Sequence, residues 1–80
     1  MIIFAKNIEM RALIERTDSF GEKSSFWVVG FNKQSLWRQL DDLQDCASSC
    51  KTGNFYNIIV WEEDGVCINA YSGEIISNIN

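Results

Sequence analysis

The side chains of this chain that could carry chemistry are three cysteines and two clusters of carboxylates. Histidine is absent, so neither a Ser-His nor a Cys-His nucleophile pair can form, and imidazole is excluded as a metal ligand. Cys46, Cys50 and Cys67 are too few for a four-thiolate zinc site within one chain. The sequence therefore predicts a protein that is not an enzyme and that uses no metal or cofactor.

The cysteines read as structural residues rather than reactive ones. An odd number of cysteines argues against a disulfide framework. Cys46 and Cys50 lie four residues apart on a predicted helix, and Cys50 falls on the apolar stripe of that helix. Buried cysteines commonly behave as small hydrophobic side chains, and we expect that role here.

The carboxylates form two clusters, one on the outer face of the predicted helix and one at the tip of a predicted hairpin: Asp41, Asp42 and Asp45, and Glu62, Glu63 and Asp64. A general acid needs burial to raise its pKa, and both positions are expected to be exposed. The clusters are thus either ordinary solvated charge or contacts for Lys and Arg of a protein partner, in which case they could imitate nucleic-acid phosphates.

The composition bounds the class of protein. Eighty residues form one domain, residues 1–80, and a content of 46% hydrophobic and 22% charged residues is typical of a folded chain. The net charge of −4 argues against direct binding of nucleic acid, which needs a basic surface. It permits a partner with a basic surface, including a nucleic-acid-binding protein, although mild acidity also serves solubility alone.

Targeting signals are not evident. No apolar run approaches the roughly 18 residues of a membrane span. The first residues, Met1–Lys6, have no basic region before a short apolar run, unlike a signal peptide. The sequence therefore predicts a cytoplasmic protein without a membrane partner.

The first half of the chain indicates a loose hairpin. Apolar and polar residues alternate over Ile8–Glu15, which favours a half-buried strand, although a short helix capped by Asn7 also fits. Ile2–Lys6 is a further apolar run of strand type. Thr17–Ser25 has the composition of a loop, and Phe26–Val29 is aromatic and β-branched, as expected of a strand.

A helix follows, with Asn32 as its N-cap and Gly53 as the left-handed residue that ends it. Lys51 suits the negative end of the helix dipole. Five side chains spaced by four, three, four and three residues form one apolar face: Leu36, Leu40, Leu43, Ala47 and Cys50.

Three further strands are predicted over Phe55–Glu62, Val66–Tyr71 and Glu74–Ile79, with turns at Asp64-Gly65 and Ser72-Gly73. The order is β-β-α-β-β-β. We expect an α+β fold in which a mostly antiparallel five-stranded sheet carries one helix on one face.

The turn after Trp61 decides which face of the sheet its indole occupies. With a two-residue turn at Asp64-Gly65, Trp61 lies opposite Ile68 and faces the core. With a three-residue turn that also includes Glu63, Val60 takes that place. Because side chains alternate along a strand, this shift of one residue moves every side chain to the other face.

The three-residue turn is the preferred prediction because it gives the helix an aliphatic partner surface: Ile58, Val60, Val66, Ile68 and Ala70. It also keeps Asn69 out of the core, where an unpaired amide would cost about 1–3 kcal/mol. The outer face would then carry Phe55, Trp61 and Tyr71. Unless the N-terminal segments cover it, such a face is a binding surface or a homodimer interface, with Trp61, Tyr71 and the two acidic clusters as its partner-binding residues.

Over Phe26–Ile76, about two-thirds of the chain, a strand, one helix and a meander with a glycine turn resemble small phage-encoded inhibitors of bacterial defence, particularly anti-CRISPR proteins. The resemblance is architectural and is shared with immunity proteins and antitoxins. It implies a non-enzymatic inhibitor that blocks a Cas effector rich in Lys and Arg. The alternatives are an immunity protein that neutralises a toxin and a homo-oligomeric structural protein.

Overall fold

The computed structural model describes residues 10–76. In chain order the elements are β1 (Met10–Thr17), β2 (Lys23–Gly30), α1 (Lys33–Cys50), β3 (Phe55–Glu63), β4 (Val66–Asn69) and β5 (Ile75–Ile76). The five strands of the described range form one antiparallel sheet in the order β2-β1-β3-β4-β5. The predicted α+β fold and its element order are confirmed.

β1 shows why alternation is a reliable strand signal. Met10, Ala12 and Ile14 are buried on the side that meets the helix, while Arg11 on the opposite side is exposed. The strand prediction is confirmed from Met10 onwards. Residues 8 and 9, the run Ile2–Lys6 and the predicted end of the last strand lie outside the described residues.

The turn between β3 and β4 has two residues, so the three-residue prediction is wrong. Asp64 and Gly65 both adopt left-handed backbone conformations, with φ of 54° and 78°. Glu63 therefore pairs with Val66 and Trp61 with Ile68. Two consecutive left-handed residues match the right-handed twist of a hairpin, which favours this turn.

A β-bulge in β3 also changes the expected faces. Leu13 pairs with Val60 but Ile14 pairs with Ile58, so Ile59 is an extra residue. As a result Ile58 and Trp61 both face the helix, whereas Val60 lies on the other side of the sheet. The predicted aliphatic surface is thus wrong for Val60. Val66 keeps the predicted side of the sheet, two residues before Ile68, but it is 40% exposed.

The helix begins as predicted. The side chain of Asn32 accepts a hydrogen bond of 2.8 Å from the backbone of Ser35, whose hydroxyl lies within 3.4 Å of the Asn32 backbone nitrogen and completes a capping box. The helix ends earlier than predicted, because Lys51 rather than Gly53 is the first left-handed residue, with φ of 54°. The helix and the sheet share one core cluster: Met10, Ala12, Ile14, Leu36, Leu40, Ile58 and Trp61.

Candidate protein-binding surfaces

The thiols and carboxylates of the described residues lie apart from one another or in solvent. Among residues 10–76, no three Cys, Asp or Glu side chains are placed together to hold a metal ion. Cys46 and Cys50 are exposed and Cys67 is half-buried, so the prediction that Cys46 and Cys50 are buried hydrophobes is wrong. α1 turns both thiols towards solvent, and the neighbouring Cys50 thiol raises the pKa of Cys46 above its ordinary value.

The two acidic clusters lie in different parts of the molecule. Asp41, Asp42 and Asp45 are exposed in the middle of α1, whereas Glu63 and Asp64 are exposed at the tip of the β3–β4 hairpin. The tip lies at the end of the sheet where α1 begins, since Glu63 pairs with Met10 and Met10 with Gly30. Asp41 lies roughly 12 Å along α1 from its first residue, Lys33, and this distance separates the helix cluster from the end of the sheet that carries the tip.

Glu62 differs from its neighbours because it has a partner within the protein. The Nε group of Arg11 donates a hydrogen bond to Glu62 on the face opposite the helix. This interaction lowers the pKa of Glu62 and raises the pKa of Arg11. The Arg11 guanidinium also lies 4.7 Å from the ring centroid of Trp27. Glu62 is therefore less available to a partner than Glu63 and Asp64.

Trp61 is not on an outer surface. Its side chain is only 7% exposed, within the core cluster. Trp37 packs edge-on against it, and Lys33 Nζ lies 5.5 Å from its ring centroid. The prediction that Trp61 leaves the core is wrong, because the two-residue turn and the bulge direct its side chain to the helix.

Two turns present exposed aromatic side chains instead. In the β1–β2 loop, a carboxylate oxygen of Asp18 accepts hydrogen bonds of 2.9 Å from the backbone N–H groups of Phe20 and Glu22. The backbone carbonyl of Asp18 also accepts a hydrogen bond from the N–H of Gly21, and the N–H of Asp18 donates one to the carbonyl of Glu22. The loop holds Phe20 with 94% of its surface exposed.

The β4–β5 turn repeats this arrangement. The amide oxygen of Asn69 accepts hydrogen bonds from the backbone N–H groups of Tyr71, at 2.8 Å, and Ser72, at 3.0 Å. The Asn69 backbone bonds to Gly73 and Glu74. Tyr71 is 69% exposed. In both turns an Asp or Asn braces the aromatic residue two positions later, and a glycine with positive φ follows.

Both turns open towards the same end of the sheet. β1 ends at Thr17, opposite the first residue of β3, Phe55, and β4 runs in the same direction as β1. The β4–β5 turn, which holds Tyr71, begins opposite Ile59, because the N–H of Ala70 bonds to the carbonyl of Ile59. Ile59 is four residues from Phe55, so this turn is set back by roughly 13 Å from the end of the sheet at Phe55. Phe55 is also exposed and lies on β3, the strand between β1 and β4. We call Phe20, Phe55 and Tyr71 the aromatic end.

The structure thus separates residues that the sequence grouped together. Tyr71 is exposed as predicted. However, it lies roughly 20 Å, measured along the strand direction, from Glu63 and Asp64 at the tip of the β3–β4 hairpin. Phe20 lies in the predicted loop Thr17–Ser25, which is too long at both ends because β1 runs to Thr17 and β2 begins at Lys23. Loop composition alone does not mark this ring as exposed. The spacing Asp18-x-Phe20-Gly21 and its counterpart at Asn69 were the available signals, since Asp and Asn brace turns of this kind.

Comparison with protein-family models, with curated proteins and with solved structures finds no match for this chain. Within the described range, no helix combines the length and the apolar character needed to cross a membrane.

Proposed function

We propose that this protein is a non-enzymatic inhibitor that binds a macromolecular partner through the aromatic end and blocks it sterically. The observation that carries the proposal is that two braced turns at one end of the sheet each hold an aromatic ring in solvent. An exposed ring such as that of Phe20 lacks the stabilising free energy of about 1.5–3 kcal/mol that its burial would contribute. A partner pocket would recover that free energy.

The hydrogen bonds within the turns support this role. Ordering a loop on binding costs about 0.5–1.5 kcal/mol for each immobilised side chain, and more where the backbone must also be fixed. Asp18 and Asn69 already hold the backbone of Phe20 and Tyr71, so less ordering remains. Preorganised aromatic residues are typical binding hot spots.

The acidic residues would act at longer range. Asp41, Asp42, Asp45, Glu63 and Asp64 are exposed, and the chain carries a net charge of −4. Charges outside the central contact chiefly raise the association rate with an oppositely charged partner. A partner with a basic surface fits this distribution, and direct binding of nucleic acid does not.

The specific version of the proposal is an anti-CRISPR-type phage protein that acts on a Cas effector complex in the host cytoplasm. Cas effectors carry a basic channel for nucleic acid. A small acidic domain seated at such a channel would exclude DNA without catalysing any reaction. The alternative is an immunity protein or antitoxin, which would use the same surface against a toxin.

The test is a titration of the purified protein against purified Cas effector complexes, with inhibition of DNA binding as a second readout. We expect Phe20→Ala and Tyr71→Ala each to weaken binding about tenfold or more, equivalent to 1.4 kcal/mol. Phe31→Ala is the matched control, because Phe31 is exposed at the opposite end of the sheet.

The outcomes separate the parts of the proposal. Wild-type affinity in both the Phe20 and the Tyr71 variants would show that the aromatic end is not the interface. No binding to any Cas effector would remove the anti-CRISPR version. Neutralisation of a toxin encoded beside this gene would then establish the immunity alternative.

A further inference from the structure

The outer edge of β2 is the feature that points beyond the proposed inhibitor. β2 is the first strand in the sheet order, and within residues 10–76 it pairs only with β1. It is eight residues long and pairs with β1 without a register shift. An edge of this length exposes a row of backbone groups that can pair with another strand.

Two independent contacts show which backbone groups of β2 point outwards. The N–H of Asp18 donates to the carbonyl of Glu22, so these residues form a hydrogen-bonded pair at the start of the β1–β2 ladder. Hydrogen-bonded pairs alternate along an antiparallel ladder, and the even-numbered residues of β2 therefore bond to β1. The carbonyl of Val29 accordingly points away from β1 and accepts a hydrogen bond of 2.8 Å from Gln39 Nε2.

The outward-facing backbone residues are therefore Lys23, Ser25, Trp27 and Val29. Natural edge strands are usually protected by several charges, by proline or by a bulge. β2 contains one charged residue, Lys23 at its first position, and no proline. The bond from Gln39 engages one carbonyl near the end of the strand. Ser25 and Trp27 keep their N–H and carbonyl groups directed outwards in the middle of it.

We propose that β2 pairs in antiparallel fashion with β2 of a second copy of this chain, around a twofold axis at Phe26. Ser25 of each copy then exchanges two backbone hydrogen bonds with Trp27 of the other. The four central bonds avoid the carbonyl that Gln39 occupies. Lys23 comes opposite Val29, so no like charges oppose each other.

The side chains near the axis fit this arrangement. Phe26 lies on the helix side of the sheet and is partly exposed. Its counterpart would stand directly across the axis, with Cβ atoms about 4.5–5.5 Å apart. A groove of about 290 Å³ runs between β2 and α1, lined by Phe26, Val28, Gln39, Asp42, Leu43 and Cys46. The two Phe26 rings would cover the apolar part of this groove. The dimer thus accounts for an aromatic side chain at the exposed edge of the sheet.

Sedimentation velocity under reducing conditions, at protein concentrations up to about 1 mM, tests the proposal. We expect a concentration-dependent dimer. Ser25→Pro removes an outward N–H and leaves the hydrogen bonds to β1 intact, since proline is tolerated on edge strands. It should raise the dimer dissociation constant at least about tenfold. Ser25→Ala, which keeps the N–H, is the matched control and should dimerise like wild type.

Amide exchange gives a second readout that locates the interface. The N–H groups of Ser25 and Trp27 should exchange more slowly as the protein concentration rises, while that of Ser24, already bonded to β1, should not change. If circular dichroism shows that Ser25→Pro does not fold, Phe26→Lys replaces it, because two lysines across the axis would repel each other. A monomeric wild type, or undiminished association in the folded variant, would overturn the proposal.

Discussion

The indole of Trp37 packs edge-on against the indole of Trp61, with ring centroids 5.8 Å apart and planes inclined by 64°. Trp37 is 47% exposed and Trp61 is 7% exposed. The outer ring thus shields the inner one, and the pair joins the first turns of α1 to the end of β3. Edge-to-face pairs contribute about 0.5–1.5 kcal/mol beyond the area that they bury.

Replacing Trp61 should therefore affect folding before it affects binding. Trp61→Ala should lower the free energy of unfolding by about 3–5 kcal/mol, since it leaves a large cavity in the core. Trp37→Ala should cost less, about 1.5–3 kcal/mol, because it removes the ring pair and the burial of only about half of a large side chain. Urea denaturation followed by circular dichroism measures both. Equal costs for the two variants would contradict the unequal burial of the two rings.

The β3–β4 turn should be sensitive to a Cβ at Gly65. Gly65 has φ of 78°, and among residues 10–76 no atom beyond its two chain neighbours lies within 4 Å of the position that its Cβ would take, so strain there comes from the backbone. Gly65→Ala should cost about 1–2 kcal/mol of unfolding free energy. Asp64→Asn is the control, because Asn tolerates the left-handed conformation, and it should change stability by less than about 0.5 kcal/mol. A neutral Gly65→Ala would argue for a different turn.

The contact between Arg11 and Glu62 should appear in the acid titration. The hydrogen bond from Arg11 lowers the pKa of Glu62 below its ordinary value of 4.5. Because the pKa of Glu62 is lower in the folded than in the unfolded chain, the contact stabilises the fold at pH values above the ordinary pKa of Glu62. The stabilisation is lost as the pH falls through the lowered pKa.

Carboxyl chemical shifts measured by NMR across acidic pH test this assignment. In Arg11→Gln the pKa of Glu62 should rise towards its ordinary value, and the loss of stability on acidification should become smaller. Lys23→Gln is the control, since Lys23 lies 3.8 Å from a different carboxylate, that of Glu15. An unchanged Glu62 titration in Arg11→Gln would refute the contact.

The two exposed thiols of α1 should influence each other. The neighbouring Cys50 thiol raises the pKa of Cys46 from an ordinary value of 9.0 and so reduces its thiolate fraction. Cys50→Ala should therefore increase the rate at which iodoacetamide alkylates Cys46 at about pH 8. Peptide mapping by mass spectrometry gives the rate, with Cys67→Ala as the control. A rate that stays the same in Cys50→Ala would show that the Cys50 thiol does not raise the pKa of Cys46.

Local signals were enough to predict most of the elements. The alternation in β1 and the spacing of Leu36 and Leu40 reflect periods that depend only on backbone geometry. The cap at Asn32 is a contact within one turn of helix. These features predicted the fold class and the helix start, because each is complete within a few residues.

The faces of β3 could not be predicted in the same way. Turns of two and three residues are both compatible with Asp64-Gly65, and the choice between them moves every side chain to the opposite face. The bulge at Ile59 then reverses the alternation within the strand. Both features depend on pairing with β1 and β4, which the local sequence does not specify.

Because the faces of β3 differ from the prediction, the candidate binding surface in the structure differs from the predicted one. Composition and spacing determined that this is a small acidic α+β domain without histidine chemistry, because those properties need only the identity and order of the residues. Packing between α1 and the sheet decided that Trp61 is core, and the pairing of β1, β3 and β4 decided that Phe20, Phe55 and Tyr71 lie at one end. Burial is a property of distant chain segments brought together, and only the folded chain contains that information.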